Sequence, residues 1–165
     1  MKKLVDANPH RGLLRFLLRL PLLLYRIHLG WLLGERFLLL KHRGRKTGLA
    51  RETVLEVLRS DEAHHRYLVA SGWGEHSQWV KNILRRPEVE IGVAGRTIKA
   101  SAIRLSEQQA EGELQDYARQ HPMAFRTVGS LIFGKRAVAS SEAFARLAKT
   151  IPIFVLQART ESGRL

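Results

Sequence analysis

Apolar positions divide the chain into a helical first stretch and a strand-rich remainder. Over residues 11–29, Leu13, Leu14, Leu17 and Leu18 recur at the i, i+3, i+4 spacing of one helix face. At about 100° per residue, Arg11, Arg15, Arg19 and Arg26 fall within an arc of roughly 80° on that helix. Pro21 kinks it or begins a second helix. Two readings fit: a basic amphipathic helix lying on an anionic membrane, or a helix packed on the body of the protein with its arginines in water. Lys2-Lys3 ahead of the leucines superficially resembles a signal peptide. Arginines interrupt that stretch, however, and no small-residue cleavage site follows. No uncharged apolar run approaches the ~18 residues of a spanning helix, so the expectation is neither secretion nor a transmembrane segment.

Beyond Gly34 the period changes to two. Residues 37–42 read as a buried strand. Residues 51–59 alternate, with Thr53, Leu55 and Val57 on one face and Glu52 and Glu56 on the other. Residues 43–50 join these two strands as a hairpin loop with glycines at 44 and 48. A polar turn at 61–65 leads to a third strand at 66–71, and a short helix bearing Trp79 follows. Strands at 89–93 and 97–105 pair through the turn Ala94-Gly95-Arg96. Ser106 and Gln109 form a capping box that opens a helix to about residue 120. Residues 123–138 are apolar and helical in part, Ser141 caps a helix to residue 148, and 152–158 is the last strand. About six short strands with inserted helices predict a mainly β, α+β fold, an antiparallel sheet curled into a barrel. The predicted organisation is a basic helical segment at 1–35, a barrel domain at 36–159 and a frayed tail at 160–165.

Composition sharpens this picture in one respect. Among 165 residues, 28 Lys and Arg face 15 Asp and Glu, a formal charge of +13. Such a surplus favours an acidic partner: a phosphate, a polyacidic cofactor tail, nucleic acid or an anionic membrane. With no cysteine, the chain has no disulfide, thiol nucleophile or thiolate metal site, which suits the cytoplasm.

The candidate chemistry clusters between residues 37 and 94. The turn Arg43-Gly44-Arg45-Lys46-Thr47-Gly48 offers three cations, a hydroxyl and glycine-permitted amides in one loop, with Arg51 just beyond. Forked guanidinium donors, a point charge and exposed amides are what phosphate recognition requires. The loop is not a Walker A motif, because Arg45 stands where a glycine should precede the lysine. Read alone it is also a solvated hairpin with incidental charge. Gly72-Trp73-Gly74 after a strand lets backbone approach a planar ring, or is a plain turn with a core tryptophan. Trp79 and Ile83, at i and i+4, mark a core face, beside which the amide of Asn82 needs a partner. Arg85 and Arg86 suit the end of a helix through its dipole. The seven histidines show no metal-binding spacing, and Ser71 lacks a nucleophile elbow. No metal is expected, and a cofactor must carry any reaction.

Taken in order, these segments resemble the deazaflavin-dependent nitroreductase family, split β-barrel oxidoreductases that use coenzyme F420, a hydride-carrying 8-hydroxy-5-deazaflavin. The stretches that carry the resemblance are Leu38-Leu39-Leu40 into Gly44-Arg45-Lys46-Thr47-Gly48, then Arg51, Val69-Ala70-Ser71 and Trp79-Val80-Lys81-Asn82 with Pro87. Lys149-Thr150-Ile151-Pro152-Ile153 completes it. The resemblance implies that Arg45, Lys46, Thr47 and Arg51 hold the cofactor's phosphate and the start of its glutamyl tail. It implies that Ala70, Ser71 and Gly72 lie along the ring while Trp79 and Asn82 close the pocket. Members often carry an N-terminal helix associated with membranes, and several act on quinone-like substrates.

Three features depart from the family pattern. Gly72 and Trp73 replace a lysine, Val54 replaces a proline, and residues 121–138 contain Phe125 and Phe133 but no tyrosine wall. The expected activity is hydride transfer from reduced deazaflavin to a small hydrophobic acceptor: a quinone, an enone or a nitroaromatic. FMN is the alternative cofactor. The rival functions are a non-catalytic carrier of cofactor or lipid on the same barrel, and a basic protein binding membrane surfaces or nucleic acid. Partners implied are the acceptor, an anionic membrane touched through residues 11–29 at the inner face, and a monomeric or homodimeric state.

Overall fold

The computed structural model describes residues 34–123, 125–126 and 140–159. The basic helix read at 11–29, most of the apolar stretch at 123–138 and the tail at 160–165 lie outside the described residues. The described elements are β1 (Phe37–Arg43), β2 (Ala50–Asp61), β3 (Arg66–Ala70), a 3-10 turn (Gly74–His76), α1 (Gln78–Arg85), β4 (Glu88–Val93), β5 (Arg96–Arg104), α2 (Glu107–Gln120), α3 (Ser141–Thr150) and β6 (Ile153–Ala158). The strands close a barrel in the order β1-β2-β3-β6-β5-β4, every pair antiparallel. Closure leaves no free sheet edge to be protected.

The barrel closes because short hairpins alternate with two changes of direction. Ala94 and Gly95 take positive φ angles of 46° and 76° between the paired Val93 and Arg96. This two-residue turn matches the twist of its strands, and is one residue shorter than expected from sequence. In β2 the register shifts between Val57, opposite Val69, and Arg59, opposite Leu68. The extra residue, Leu58, turns away from the barrel interior and joins the helices instead.

Two apolar layers share the central strands. Leu38, Leu40, Tyr67, Val69, Ile91, Val93, Phe154 and Leu156 fill the barrel, and α1 adds Trp79, Val80 and Ile83 to them. Leu68 and Ile153 point outward into a second cluster with Leu114, Phe144 and Leu147 of α2 and α3. β3 and β6 are therefore covered on both faces, which explains their unbroken apolar runs. Ser106 caps α2 with the expected reciprocal bonds to Gln109. For α3 the cap is Ser140, not Ser141: the Ser140 hydroxyl accepts from the Ala143 amide, because Ser140 alone keeps the extended backbone an N-cap needs. Among the described residues no helix is long and apolar enough to cross a membrane.

Candidate functional site

β1 carries its side chains alternately in and out, so Leu38, Leu40 and His42 follow one another along the inner face. His42 is the point where that apolar row ends in a polar group, 6% exposed. Just beyond it the chain folds into a tight loop. The Gly48 amide donates to the Gly44 carbonyl at 2.8 Å, the Gly44 amide to the Leu49 carbonyl at 2.9 Å, and the Leu49 amide to the Thr47 hydroxyl at 3.3 Å. Gly48 sits at φ +69°, and a Cβ on Gly44 would lie 2.9 Å from the Thr47 hydroxyl. Glycine at 48 meets the backbone requirement and at 44 the steric one.

Asn82 on α1 binds this loop to the barrel. Its side-chain oxygen accepts from the Arg45 amide at 3.0 Å and from Arg45 Nη1 at 3.2 Å, and Gln78 accepts from the same Nη1 at 3.0 Å. The Asn82 amide nitrogen lies 3.2 Å from His42 Nδ1. The partner that Asn82 required is thus a pair, one residue on β1 and one on the loop. Gln78 and Asn82 are i, i+4 neighbours, which places both on the loop-facing side of the helix.

The result is a cavity of about 450 Å³ lined by Arg45, Lys46, Thr47, Arg51, Trp79 and Asn82 together with His42, Gln78, Glu52 and Thr53. Its charge is unbalanced. Elsewhere Arg59 pairs with Glu113 at 2.7 Å, Arg96 with Glu35 at 3.1 Å, and Arg104 with Glu75. Among the described residues no carboxylate pairs with Arg45, Lys46 or Arg51. Burial lowers the pKa of His42, and the Arg51 charge beside it lowers it further, so the imidazole is neutral at physiological pH. Three cations without counter-ions, beside a hydroxyl and a neutral imidazole, fit a phosphate or a run of carboxylates.

A second cavity, about 720 Å³, adjoins the first through Thr53, Gln78 and Trp79, which line both. Ala70, Ser71, Gly72 and Trp73 form its floor with Val54 and Leu55. The sequence-derived site residues are accordingly brought together in two joined chambers, with Trp79 at the join. Their roles are unequal. Ser71 is 2% exposed, and its hydroxyl donates to the Gly74 carbonyl at 2.9 Å. Ser77 must then donate to Ser71, 2.6 Å away. Ser71 braces the turn, and Ser77, committed to it, makes no side-chain cap on α1. A Cβ on Gly72 would meet nothing within 4 Å, which leaves room for a flat group.

Trp79 lies on the core face that its i, i+4 spacing with Ile83 predicts, and Trp73 does not enter the core. Trp73, with a core reading open from sequence, is 82% exposed at the rim, because the 3-10 turn that follows it points it away from the barrel. Trp79 is the buried one, edge-on to Phe154 with centroids 5.7 Å apart. His42 and Gln78 were not singled out from sequence. The signal for His42 was available: a polar residue in phase with Leu38 and Leu40, one step before a cationic loop.

With this geometry in place, comparison with known proteins identifies the architecture and the chemistry. The family model for F420H(2)-dependent quinone reductase matches residues 27–128. No curated protein matches the chain. An F420-H2 dependent reductase (FDR-A) superposes at a TM-score of 0.50 and 16% identity, over 75% of this chain and 96% of that one. A putative pyridoxamine 5'-phosphate oxidase from Listeria innocua gives 0.50 at 10% identity, over 83% and 94%. An FMN-binding, pyridoxamine 5'-phosphate oxidase-related protein from Nostoc punctiforme gives 0.50 at 15%, over 95% and 83%. These structures share the fold, a mainly β split barrel. The matched segment spans more than half of the chain and contains the whole cationic cavity, so the chain belongs to the F420H(2)-dependent quinone reductase family and is a deazaflavin-dependent oxidoreductase.

Proposed function

We propose that the cofactor's phosphate and first carboxylates occupy the cationic chamber, that its ring lies in the adjoining chamber, and that the acceptor is a quinone or a related enone or nitroaromatic. The observation that carries this reading is the pair of joined cavities, one with three cations that no described carboxylate pairs, the other mainly apolar and floored by open backbone. Reduced deazaflavin, when bound, supplies a hydride. The rest is the work of the chain. Arg45, Lys46, Thr47 and Arg51 bind the anionic end, with Arg45 held from behind so that its remaining N–H groups face the cavity. Ala70, Ser71 and Gly72 give a flat wall, and Trp79 and Asn82 close the side formed by α1. Fixing donor and acceptor face to face in a chamber shielded by Trp79 supplies orientation, the dominant contribution where no acid or base is needed to activate a nucleophile. Trp73, exposed at the rim of the ring chamber, offers an aromatic face to a planar acceptor.

Residues 36–159 form the cofactor-binding unit in this reading, as monomer or homodimer. Residues 1–35 are a basic segment that lies on an anionic membrane at its inner face, and 160–165 a tail; the sequence spacing of Arg11, Arg15, Arg19 and Arg26 supports the membrane contact. Titration with F420 against FMN tests the cofactor site: quenching of deazaflavin fluorescence at micromolar protein, with much weaker FMN binding, is expected. Oxidation of the reduced cofactor is then followed with menadione, an enone and a nitroaromatic. Indifference to the quinone with turnover of another acceptor would overturn the quinone assignment while leaving the cofactor site standing.

A further inference from the structure

We propose that His42 is a positioning residue for the anion-binding chamber: as a hydrogen-bond acceptor it fixes the direction of the Asn82 amide, and that amide holds Arg45. The inference rests on the cofactor site described above. An asparagine side chain has one accepting end and one donating end. Both contacts at the oxygen come from groups that can only donate, the Arg45 amide at 3.0 Å and Arg45 Nη1 at 3.2 Å. The nitrogen end therefore faces His42 Nδ1 at 3.2 Å, and Nδ1 must carry a lone pair. His42 is then neutral with its proton on Nε2. Asn82 is 5% exposed, so water does not substitute freely for any of these bonds.

A second proton on His42 would set N–H against N–H. Relief by turning the Asn82 amide over would place its NH2 group against both Arg45 donors. The flip releases Arg45 from two of its three bonds, and the unrelieved clash drives Asn82 away from His42 and so from the direction in which it holds Arg45. The charged and titratable groups around His42 oppose that proton: Arg51 across the β1–β2 pair, and Arg45 and Lys46 from the loop. Glu52 of β2 is the one carboxylate lining the same chamber, and α1 contributes only the amides of Gln78 and Asn82. Burial first, and the Arg51 charge second, lower the pKa of His42 in the same direction.

His42→Gln retains an acceptor for Asn82, whereas His42→Leu removes it. F420 binding, read by fluorescence quenching, is expected to weaken about tenfold in His42→Leu and to stay within about threefold of wild type in His42→Gln. As pH falls from about 7.5 to about 5.5, wild type should lose affinity relative to His42→Gln, since only wild type can take the proton. Equal affinities in the two variants overturn the proposal. So does a gain of affinity by wild type in acid, which would make His42 a direct cation for the anion. Nitrogen-15 NMR of the wild-type imidazole is independent of variant folding: an unprotonated Nδ1 is required, and a protonated one overturns it. Arg45→Ala separates the two layers. Unchanged F420 binding there removes the underlying site, whereas weakened binding with equivalent His42 variants removes only the role of His42.

Discussion

At the residue scale, the decisive property of the site is that its cations have no carboxylate partners within the described structure. Arg45 and Arg51 belong to the loop and the strand beside it, yet neither joins the surface ion pairs that engage Arg59, Arg96 and Arg104. Arg51→Ala should weaken F420 binding by about 10- to 100-fold, the value of a charge-assisted bond in a partly enclosed site. It should also flatten the salt dependence of binding, with little change in melting temperature; a destabilised but fully binding variant would contradict this. Trp73 makes the complementary case. Because it is exposed and its loss opens no cavity, Trp73→Ala should raise KM for menadione several-fold while leaving F420 affinity unchanged, as steady-state kinetics beside a binding titration will show. Arg45, Lys46, Thr47 and Arg51 stood out from sequence as candidates because phosphate chemistry demands cations and glycines in one turn, and the fold gathers them on one cavity. Asn82 was legible as a need, a polar amide beside an apolar face. Its partners were not, since His42 and Arg45 lie about 40 residues away in sequence and only the closed barrel brings them near.

At the element scale, the turn between β3 and α1 is tightly constrained. Gly74 has φ +61°, and a Cβ there would sit 3.0 Å from the Thr150 carbonyl. Gly74→Ala should cost about 1–3 kcal/mol through the strained backbone alone, measurable by denaturant unfolding, and should misplace Trp73 and α1 together. Gly72, with open space beside it, should accept alanine with little loss of stability, although the added methyl would impede a flat ligand. The cap of α3 gives a second contrast. Ser140→Ala should cost about 1 kcal/mol and Ser141→Ala a few tenths at most, because only Ser140 accepts from the Ala143 amide. The two serines are adjacent and chemically identical. Periodicity brackets a helix end but cannot select which of two neighbours turns extended.

At the scale of the whole molecule, the barrel and the site are coupled through α1, which contributes Trp79, Val80 and Ile83 to the core on one side and Gln78 and Asn82 to the site on the other. Phe154→Ala should destabilise by about 3–5 kcal/mol. It should also loosen Trp79, its edge-on neighbour, so that tryptophan emission shifts before global unfolding. The pH dependence of stability has a defined sign. His42 has a lowered pKa in the folded protein, so the unfolded chain binds more protons over the interval between that value and the ordinary 6.5. Stability therefore rises with pH through that interval and is lost as pH falls through it, with no further loss from this group below it. Urea midpoints at pH 7.5 and pH 5.5 should differ by less in His42→Gln than in wild type.

Alternation of apolar and polar side chains, turn glycines and the crowding of cations into one loop are local properties, and they sufficed to specify the strands, the capping of α2 and the cationic loop. Local pattern also carried the family resemblance, since its motifs are short and ordered along the chain. Tertiary structure alone decided that Trp73 is exposed, because the turn that carries it left a core reading open, whereas the spacing of Trp79 and Ile83 already marked a core face. It decided the destination of Leu58, which a single inserted residue sends to the helices. It also decided that His42, Asn82 and Arg45 meet, since hydrogen bonding acts over a few ångströms and only closure of the barrel brings residues so distant in sequence within that reach.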